Sequence, residues 1–474
     1  MATSVAAHAA DDAERRPNII YILADDLGYA ELGCYGQEKI LTPNIDRLDA
    51  EGMRFTQHYS GSPVCAPSRC TLLTGRHTGH AYIRDNYEMG GWDRDAREGQ
   101  LHLPEGTTTL GTLLQEAGYK TCAVGKWGLG GPDTTGHPNL QGFDHWYGYL
   151  CQRVAHNYYP THLWRNEEKN ILEGNEYFSA HQRLEEPPTD PSGWDRYKGD
   201  QYAPDLMAAE ALNFIRENQD GPFFLYFATP VPHAALQVPE DSLSPYVTEG
   251  WDKHPYLGGK GYLPHPAPRA AYAAMVSRMD REVGRIMALL EELELDDETI
   301  IIFSSDNGPT FNGGTDSAFF RSAGPLRGLK CSVYEGGVRV PMIARWPGHI
   351  EPGTASDHVS AFWDILPTVC ALTGIEEPAD LDGISIAPTL LGRPVEQKEH
   401  QYLYWEYHGS QAVRMGPWKG VLRRGQNRLE LYNLQSDIAE QHNVADENPE
   451  VVVMIRGIMM AARTESEHFP LKKE

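Results

Sequence analysis

Four short, unbroken apolar runs stand out along the chain: Asn18–Ala24, Thr121–Val124, Phe223–Phe227 and Thr299–Phe303. Continuous rather than alternating hydrophobicity marks strands covered on both faces, as in parallel sheets. Stretches of helical period lie between them. One carries Met275, Met279, Val283, Ile286, Leu290 and Leu293 at spacings of three or four, with Arg278, Asp280, Arg281, Glu282 and Arg285 assigned to a solvent face. Another runs from Asp205 to Glu217, with apolar Leu206, Ala209, Leu212, Phe214 and Ile215. Strands alternating with helices predict an α/β fold built on a large, mainly parallel sheet flanked by helices.

Ligands of open α/β sheets bind outside the carboxyl ends of the strands. Here those ends read Asp25-Asp26-Leu27-Gly28, Gly125-Lys126-Trp127-Gly128, Pro232-His233 and Ser304-Ser305-Asp306-Asn307-Gly308. Distant segments thus bring carboxylates, an amide, a lysine and an imidazole to one rim. Beyond residue 376 the pattern changes. Tyr402–Trp405, Trp418–Val421 and Leu429–Tyr432 read as short strands separated by turns such as Met415-Gly416-Pro417, followed by a helix near Val451–Arg463. The expected division is a tail over residues 1–16, a main domain over 17–375 and a smaller antiparallel-sheet subdomain over 376–474. The Pro- and Gly-rich stretch Pro255–Pro268 is expected to be a long loop near the mouth of the site.

Charge narrows the function. The chain of 474 residues carries 41 Lys+Arg against 66 Asp+Glu, a net charge of −25. That excludes a general nucleic-acid or anionic-membrane binder, which needs a basic face. No run of about 18 apolar residues predicts a membrane span. The seven cysteines include no Cys-x-x-Cys pair, so a thiolate zinc site is not expected. Ala7-His8-Ala9 has the small-x-small form of a signal-peptidase site and reads as the remnant of an export leader, which predicts a periplasmic or secreted protein.

The most specific signal is Pro63-Val64-Cys65-Ala66-Pro67-Ser68-Arg69-Cys70-Thr71-Leu72-Leu73-Thr74-Gly75-Arg76. It resembles the signature of formylglycine-dependent sulfatases, members of the alkaline-phosphatase superfamily. Asp25-Asp26, Gly125-Lys126-Trp127, Ser305-Asp306-Asn307-Gly308, Leu326-Arg327-Gly328-Leu329-Lys330 and Glu335-Gly336-Gly337-Val338-Arg339 follow the same pattern in order. The resemblance covers residues 17–375 and implies hydrolysis of a sulfate monoester. It implies that a dedicated maturation enzyme oxidises Cys65 to formylglycine (3-oxoalanine). The hydrated aldehyde then carries two hydroxyls on one carbon, one to attack sulfur and one to help expel sulfate. Pro67 fits the first turn of a helix starting at Cys65, whose N-terminus would favour an anion. Arg69 adds fixed charge one turn on.

The resemblance also implies that Asp25, Asp26, Asp306 and Asn307 hold Ca²⁺, with Mg²⁺ the alternative, since hard oxygen ligands suit both. Lys126 and Lys330 match sulfate-binding lysines. His233 matches the histidine at the leaving oxygen and is the candidate general acid. His156 is a candidate substrate-pocket residue. One position departs from the pattern. Relatives place a histidine where this chain has Gly128, so either His137 or His156, or Asp306 with water, takes over its proton transfer. The aromatic residues Trp146, Tyr158, Tyr159 and Trp164 are candidates for stacking on a sugar. A net charge of −25 disfavours a long sulfated polymer laid along the surface. A pocket for a terminal sulfated sugar is therefore expected, with a small aryl or alkyl sulfate as the alternative. A phosphodiesterase or phosphonate hydrolase of the same superfamily, and a non-catalytic carbohydrate-binding relative, are the rival functions.

Overall fold

The computed structural model describes residues 16–91, 93–94 and 97–471. The four apolar runs become neighbouring strands. Asn18–Ala24 is central, parallel to Phe223–Ala228 on one side and Thr299–Ser305 on the other. Lys120–Lys126 lies parallel beyond Phe223–Ala228. Arg339–Arg345 and then Met53–Tyr59 extend the sheet with antiparallel pairings, and His145–Tyr149 leads to two short antiparallel strands at the far edge. The result is a large, mixed and mostly parallel α/β sheet.

Every residue of Asn18–Ala24 is buried. Side chains alternate across a strand, so Ile20 and Ile22 meet the helices Ala203–Glu217 and Pro268–Glu292, while Ile19, Tyr21 and Leu23 meet the helices Cys65–Thr74 and Ile365–Thr373. Both faces are apolar, which is why the run has no polar beat. Each fully buried Ile or Leu contributes roughly 1.5–3 kcal/mol.

The long helix departs from expectation. It is covered on more than one side, and Arg278, Asp280 and Glu282 are buried rather than solvated. The Asp280 carboxylate accepts hydrogen bonds from the Asn44 and Ile45 backbone amides at 3.0 and 2.7 Å, in the first turn of the helix Pro43–Ala50. Arg278 pairs with Asp205 and Asp241. A charged stripe does not reveal whether its partners are water or the first turn of a distant helix.

The second sheet has four antiparallel strands, Leu403–Tyr407, Ser410–Met415, Trp418–Leu422 and Glu430–Asn433, with the helix Pro449–Ala461 behind. Ser410–Met415 was not anticipated. Its Gln411 and Arg414 look solvent-facing in sequence, yet both are buried and bonded, to Tyr404 and Tyr59 respectively. This sheet docks on the large one through an apolar cluster that joins Tyr59 and Trp363 to Leu403 and Trp405, and through buried polar contacts. Trp405 Nε1 donates to the Ser60 carbonyl at 2.9 Å, and Lys419 Nζ lies 2.9 Å from Glu335 Oε1, both fully buried. Glu335 lies five residues after Lys330, so this joint braces the segment that enters the site.

No helix among the described residues is long and apolar enough to cross a membrane. Ala7-His8-Ala9 lies outside the described residues.

Burial alone would raise the Glu335 carboxyl, but Lys419, Arg339 and Arg414 outweigh it and hold it at about 2. A depressed folded-state value contributes stability above the unfolded value of about 4.3, lost as pH falls towards 2. Lys419→Met should cost about 3 kcal/mol at neutral pH, because it strands a buried carboxylate. Adding Glu335→Gln should recover part of that loss and flatten the acid limb. Denaturant unfolding of the three proteins across pH checks this. Identical midpoints for wild type and Lys419→Met would contradict it.

Candidate active site

The strand ends deliver the site. Asp25 and Asp26 follow Asn18–Ala24, and Asp306 and Asn307 follow Thr299–Ser305. The Asp26 amide donates to Asp306 Oδ1 at 3.1 Å, joining the two ends. Asp26 sits at φ +68°, a left-handed conformation that costs a non-glycine residue free energy and is retained only where surroundings enforce it. Lys126 ends its own strand. Just before it, a Cβ at Gly125 would stand 1.9 Å from the Ala228 carbonyl oxygen, so only glycine permits the strand approach. Cys65 opens the helix Cys65–Thr74, wholly buried, with Pro67 in its first turn as expected. One amide of that turn with no partner inside the helix is satisfied from outside it: Ala66 N donates to Asn86 Oδ1 at 3.0 Å.

Around Cys65 Sγ lie Asp25 Oδ1 at 3.3 Å, Lys126 Nζ at 3.3 Å and Lys330 Nζ at 3.5 Å. Lys126 pairs with Asp25 at 2.6 Å and Lys330 with Asp26 at 2.7 Å. Arg69 forks onto Asp306 Oδ2 at 3.1 and 2.9 Å and reaches Asp25 at 3.4 Å. Its charge therefore acts through the carboxylates rather than on the sulfur directly. Three buried carboxylates thus face three buried cations. Burial opposes ionisation of Asp25, but Lys126, His233, Arg69 and Lys330 outweigh it and hold that carboxyl well below its usual range. Asp306, with burial and the charge of Asp25 against it, is pushed up to about 6. Burial, then Asp25, push the Cys65 thiol upward, so the unmodified side chain is a poor nucleophile.

The oxygen donors here suit a hard cation, although a thiol and an imidazole share the cluster. Ligand atoms of Asp25, Asp26, Cys65 and His233 all lie within 4.8 Å of one another. Asn307 Nδ2 donates to Asp26 Oδ1 at 2.7 Å, leaving Asn307 Oδ1 buried without a partner. An orphaned amide oxygen beside clustered carboxylates fits the all-oxygen coordination of Ca²⁺ or Mg²⁺.

His233 points its ring at the same centre. Its Nδ1–H donates to the Ala234 carbonyl, so Nε2 faces Asp26 at 3.7 Å and the Tyr262 hydroxyl at 3.5 Å. Burial and the charge of Lys330 push it down to about 4. His156 stacks on it, with ring centroids 5.0 Å apart, and reaches His181 Nε2 at 3.1 Å. Tyr262 comes from the stretch Pro255–Pro268 expected near the mouth. His181 was not anticipated, because it lies in a polar segment with neither periodicity nor motif.

The aromatic candidates are structural. Trp146, Tyr158, Tyr159 and Trp164 are all buried. The Tyr158 hydroxyl sits 2.6 Å from the Pro230 carbonyl oxygen and 2.5 Å from that of His233, which places His233. Trp164 Nε1 donates to Glu98. His137 caps the turn Pro138–Leu140 and is no substitute at position 128. The space beside Gly128 is filled instead by Gln152, which sequence reading missed. A Cβ at Gly128 would lie 2.9 Å from Gln152 Cγ and 3.1 Å from its Nε2, and both amide atoms of Gln152 are buried without partners.

The Sulfatase family model matches residues 17–375, and that of N-sulphoglucosamine sulphohydrolase, C-terminal, matches residues 329–463. The chain is 31% identical over 480 residues to N-acetylgalactosamine-6-sulfatase of Homo sapiens, spanning 98% of this chain and 83% of the relative. It is 31% identical over 512 residues to N-acetylgalactosamine-6-O-sulfatase of Bacteroides thetaiotaomicron, spanning 95% and 94%. In structure it resembles Ps i-CgsB in complex with k-i-k-neocarrahexaose, with a TM-score of 0.76, 30% identity and coverage of 94% and 93%.

Gly128 has φ +82° and is packed against Gln152. Gly128→Ala should therefore cost about 1–3 kcal/mol of stability. Adding Gln152→Ala should restore the share due to the collision but not the backbone share. Denaturant melts of the single and double variants separate the two, and an unshifted Gly128→Ala midpoint would contradict both.

Proposed function

The chain belongs to the sulfatase family, and from that premise we propose that it hydrolyses a sulfate monoester on a terminal sulfated sugar, with Cys65 as the site of the formylglycine nucleophile. The carrying observation is the placement of Cys65 at a helix start between Lys126 and Lys330, against buried carboxylates. A hydrated formylglycine supplies two hydroxyls on one carbon, one to form and one to break the link to sulfur. Its formation requires a maturation enzyme acting on Cys65.

The chain's own residues have separable tasks. Lys126 and Lys330, at 3.3 and 3.5 Å from Sγ, hold the sulfate oxygens beside residue 65. Arg69 keeps Asp25 and Asp306 ionised and oriented. Asp25, Asp26, Asp306 and Asn307 would hold a divalent cation, Ca²⁺ or alternatively Mg²⁺, which supplies charge neutralisation at the sulfate. With its Nδ1–H committed to Ala234 and burial favouring the neutral ring, His233 presents a bare Nε2 to the departing alcohol and acts as general acid once that nitrogen is protonated in the substrate complex. Buried His156 lines the side where the sugar ring enters. Residues 17–375 form the catalytic domain in this reading, and residues 376–474 a supporting subdomain.

Two of the proteins named above are N-acetylgalactosamine-6-sulfatases, which makes 6-sulfated N-acetylgalactosamine the first substrate to test. Sulfated glycans of this kind are extracellular, so the protein belongs in a periplasm or outside the cell. Fractionation of the native host that found it only in cytosol would contradict that placement.

Removing the cation should remove turnover. Asp306→Ala should lower kcat/KM by about 10²–10³-fold or more while the protein still folds. Full activity after exhaustive chelation would overturn the metal assignment. Faster turnover of a phosphate diester than of any sulfate monoester would favour the phosphodiesterase reading.

General acid catalysis contributes roughly 10²–10⁴-fold, and most for poor leaving groups. His233→Ala should therefore slow a sulfated sugar far more than nitrophenyl sulfate, whereas Arg69→Ala should slow both alike. Equal losses on both substrates in His233→Ala would reduce His233 to a sulfate-binding role and move the acid to Lys330 or His156.

A further inference from the structure

We propose that His181 is a positioning residue for the hydrolysis: together with the Tyr262 amide it fixes the tautomer of His156, so that His156 meets the substrate as an uncharged hydrogen-bond donor at Nε2. The inference deepens the sulfatase reading above and rests on it.

Two segments outside both sheets are tied together beside the site. Leu184 N donates to the Leu257 carbonyl at 2.8 Å, and Gln182 N to the Tyr262 carbonyl at 3.4 Å. The second segment is closed on itself: Tyr256 and His265 exchange both backbone hydrogen bonds at 2.9 Å. The Tyr256 hydroxyl accepts from Lys260 N at 2.9 Å and donates to the Gly261 carbonyl. Tyr262 then takes φ +63°, a left-handed conformation that costs a tyrosine free energy and is retained only where surroundings enforce it. Held there, its ring lies among three imidazoles, with centroids 4.7 Å from His181, 5.0 Å from His156 and 5.4 Å from His233.

The hydrogen bonds run in one direction. A backbone amide can only donate, and that of Tyr262 donates to His181 Nδ1 at 3.2 Å. A neutral His181 therefore carries its proton on Nε2, which lies 3.1 Å from His156 Nδ1. His156 accepts at Nδ1, so its own proton sits on Nε2. Among the described residues no group accepts from that nitrogen, which leaves it for a ligand. Burial, then neighbouring positive charge, keep both rings in the neutral form, with His181 pushed down to about 4.

The outcome is a matched pair of rings. His156 and His233 stack within 15° of parallel, with centroids 5.0 Å apart. His233 has a bare Nε2, because its Nδ1–H goes to the Ala234 carbonyl, whereas His156 has a protonated one. The stack thus offers a substrate one acceptor and one donor, and adds no further positive charge beside Lys126 and Lys330. The hydrogen bond made by one imidazole nitrogen decides what the other can do. Without a partner at Nδ1, His156 could carry its proton there and turn a second bare nitrogen towards the lone pairs of a sugar oxygen. His181 removes that choice before the substrate arrives, so the donor is preorganised rather than selected on binding.

Nitrogen NMR of isotope-labelled histidines reads the tautomer without any turnover. Near neutral pH the wild-type His156 signals, assigned by their loss in His156→Ala, should show a protonated Nε2 and a bare Nδ1. A proton on Nδ1 overturns the inference. Kinetics of matured enzyme on a sulfated sugar that wild type hydrolyses, N-acetylgalactosamine 6-sulfate first, read the role. His181→Leu cannot donate and should lower kcat/KM by about 3–10-fold, the size of one neutral hydrogen bond. His181→Gln, whose carboxamide N–H can stand in for Nε2–H, should recover most of that loss. In a His156→Ala background His181→Leu should cost nothing more, since His181 acts only through His156. An unchanged rate in His181→Leu, equal losses in the Leu and Gln variants, or additive losses in the double variant overturn the inference and leave the sulfatase reading standing. No turnover of any sulfate monoester by matured wild type overturns both.

Discussion

The structure around position 65 depends on one electrostatic constraint: three carboxylates taken out of water must be balanced by three cations also taken out of water. Asp25, Asp26 and Asp306 are fully buried, and Arg69, Lys126 and Lys330 close the balance at 2.6–3.4 Å. Desolvating such groups costs several kcal/mol per ion, and attraction offsets that only where geometry is tight. The geometry is set by backbone. Parallel strand ends fix the Asp pairs and Lys126, and the helix beginning at Cys65 fixes Arg69 one turn on. Evolution gains little stability from such a cluster, since apolar residues would pack there at lower cost. What it gains is positive charge preorganised around residue 65, as the proposed sulfate chemistry requires.

The same constraint explains the polar joint between the sheets. Lys330 reaches the site on a segment with little regular structure of its own. Behind it, Glu335 is tied to Lys419 and Arg339, and Glu440 accepts from the Glu335 amide at 2.8 Å. The small sheet therefore does more than cover an apolar face. It holds the one active-site lysine that no strand of the large sheet carries.

What could be read in the sequence follows from range. The strands were legible because burial on both faces leaves an uninterrupted apolar run. The convergence of Asp25, Asp26, Asp306, Asn307, the two lysines and Cys65 on one centre was legible because each sits in a local motif whose neighbours are near in sequence. Ser410–Met415 was not, because its buried Gln411 and Arg414 find partners in Tyr404 and Tyr59. Nor was the burial of Asp280, whose partners lie over two hundred residues away. Gln152 and His181 carry no motif, and their meaning exists only beside Gly128 and His156. The aromatic residues failed as sugar contacts for the opposite reason: large rings are most often core, and these four are.

The central claim is that residue 65 works as formylglycine and not as a thiol, whose proton burial and Asp25 hold too firmly for nucleophilic use. Mass spectrometry of the peptide spanning Cys65 tests it most directly, on protein from a host with the maturation enzyme and from one without, alongside turnover of a sulfate monoester. Formylglycine at position 65 gives a peptide lighter than the cysteine form, since oxygen replaces sulfur and hydrogen is lost, and activity should rise in proportion to that fraction. Full activity in protein whose residue 65 is entirely unmodified cysteine would contradict it.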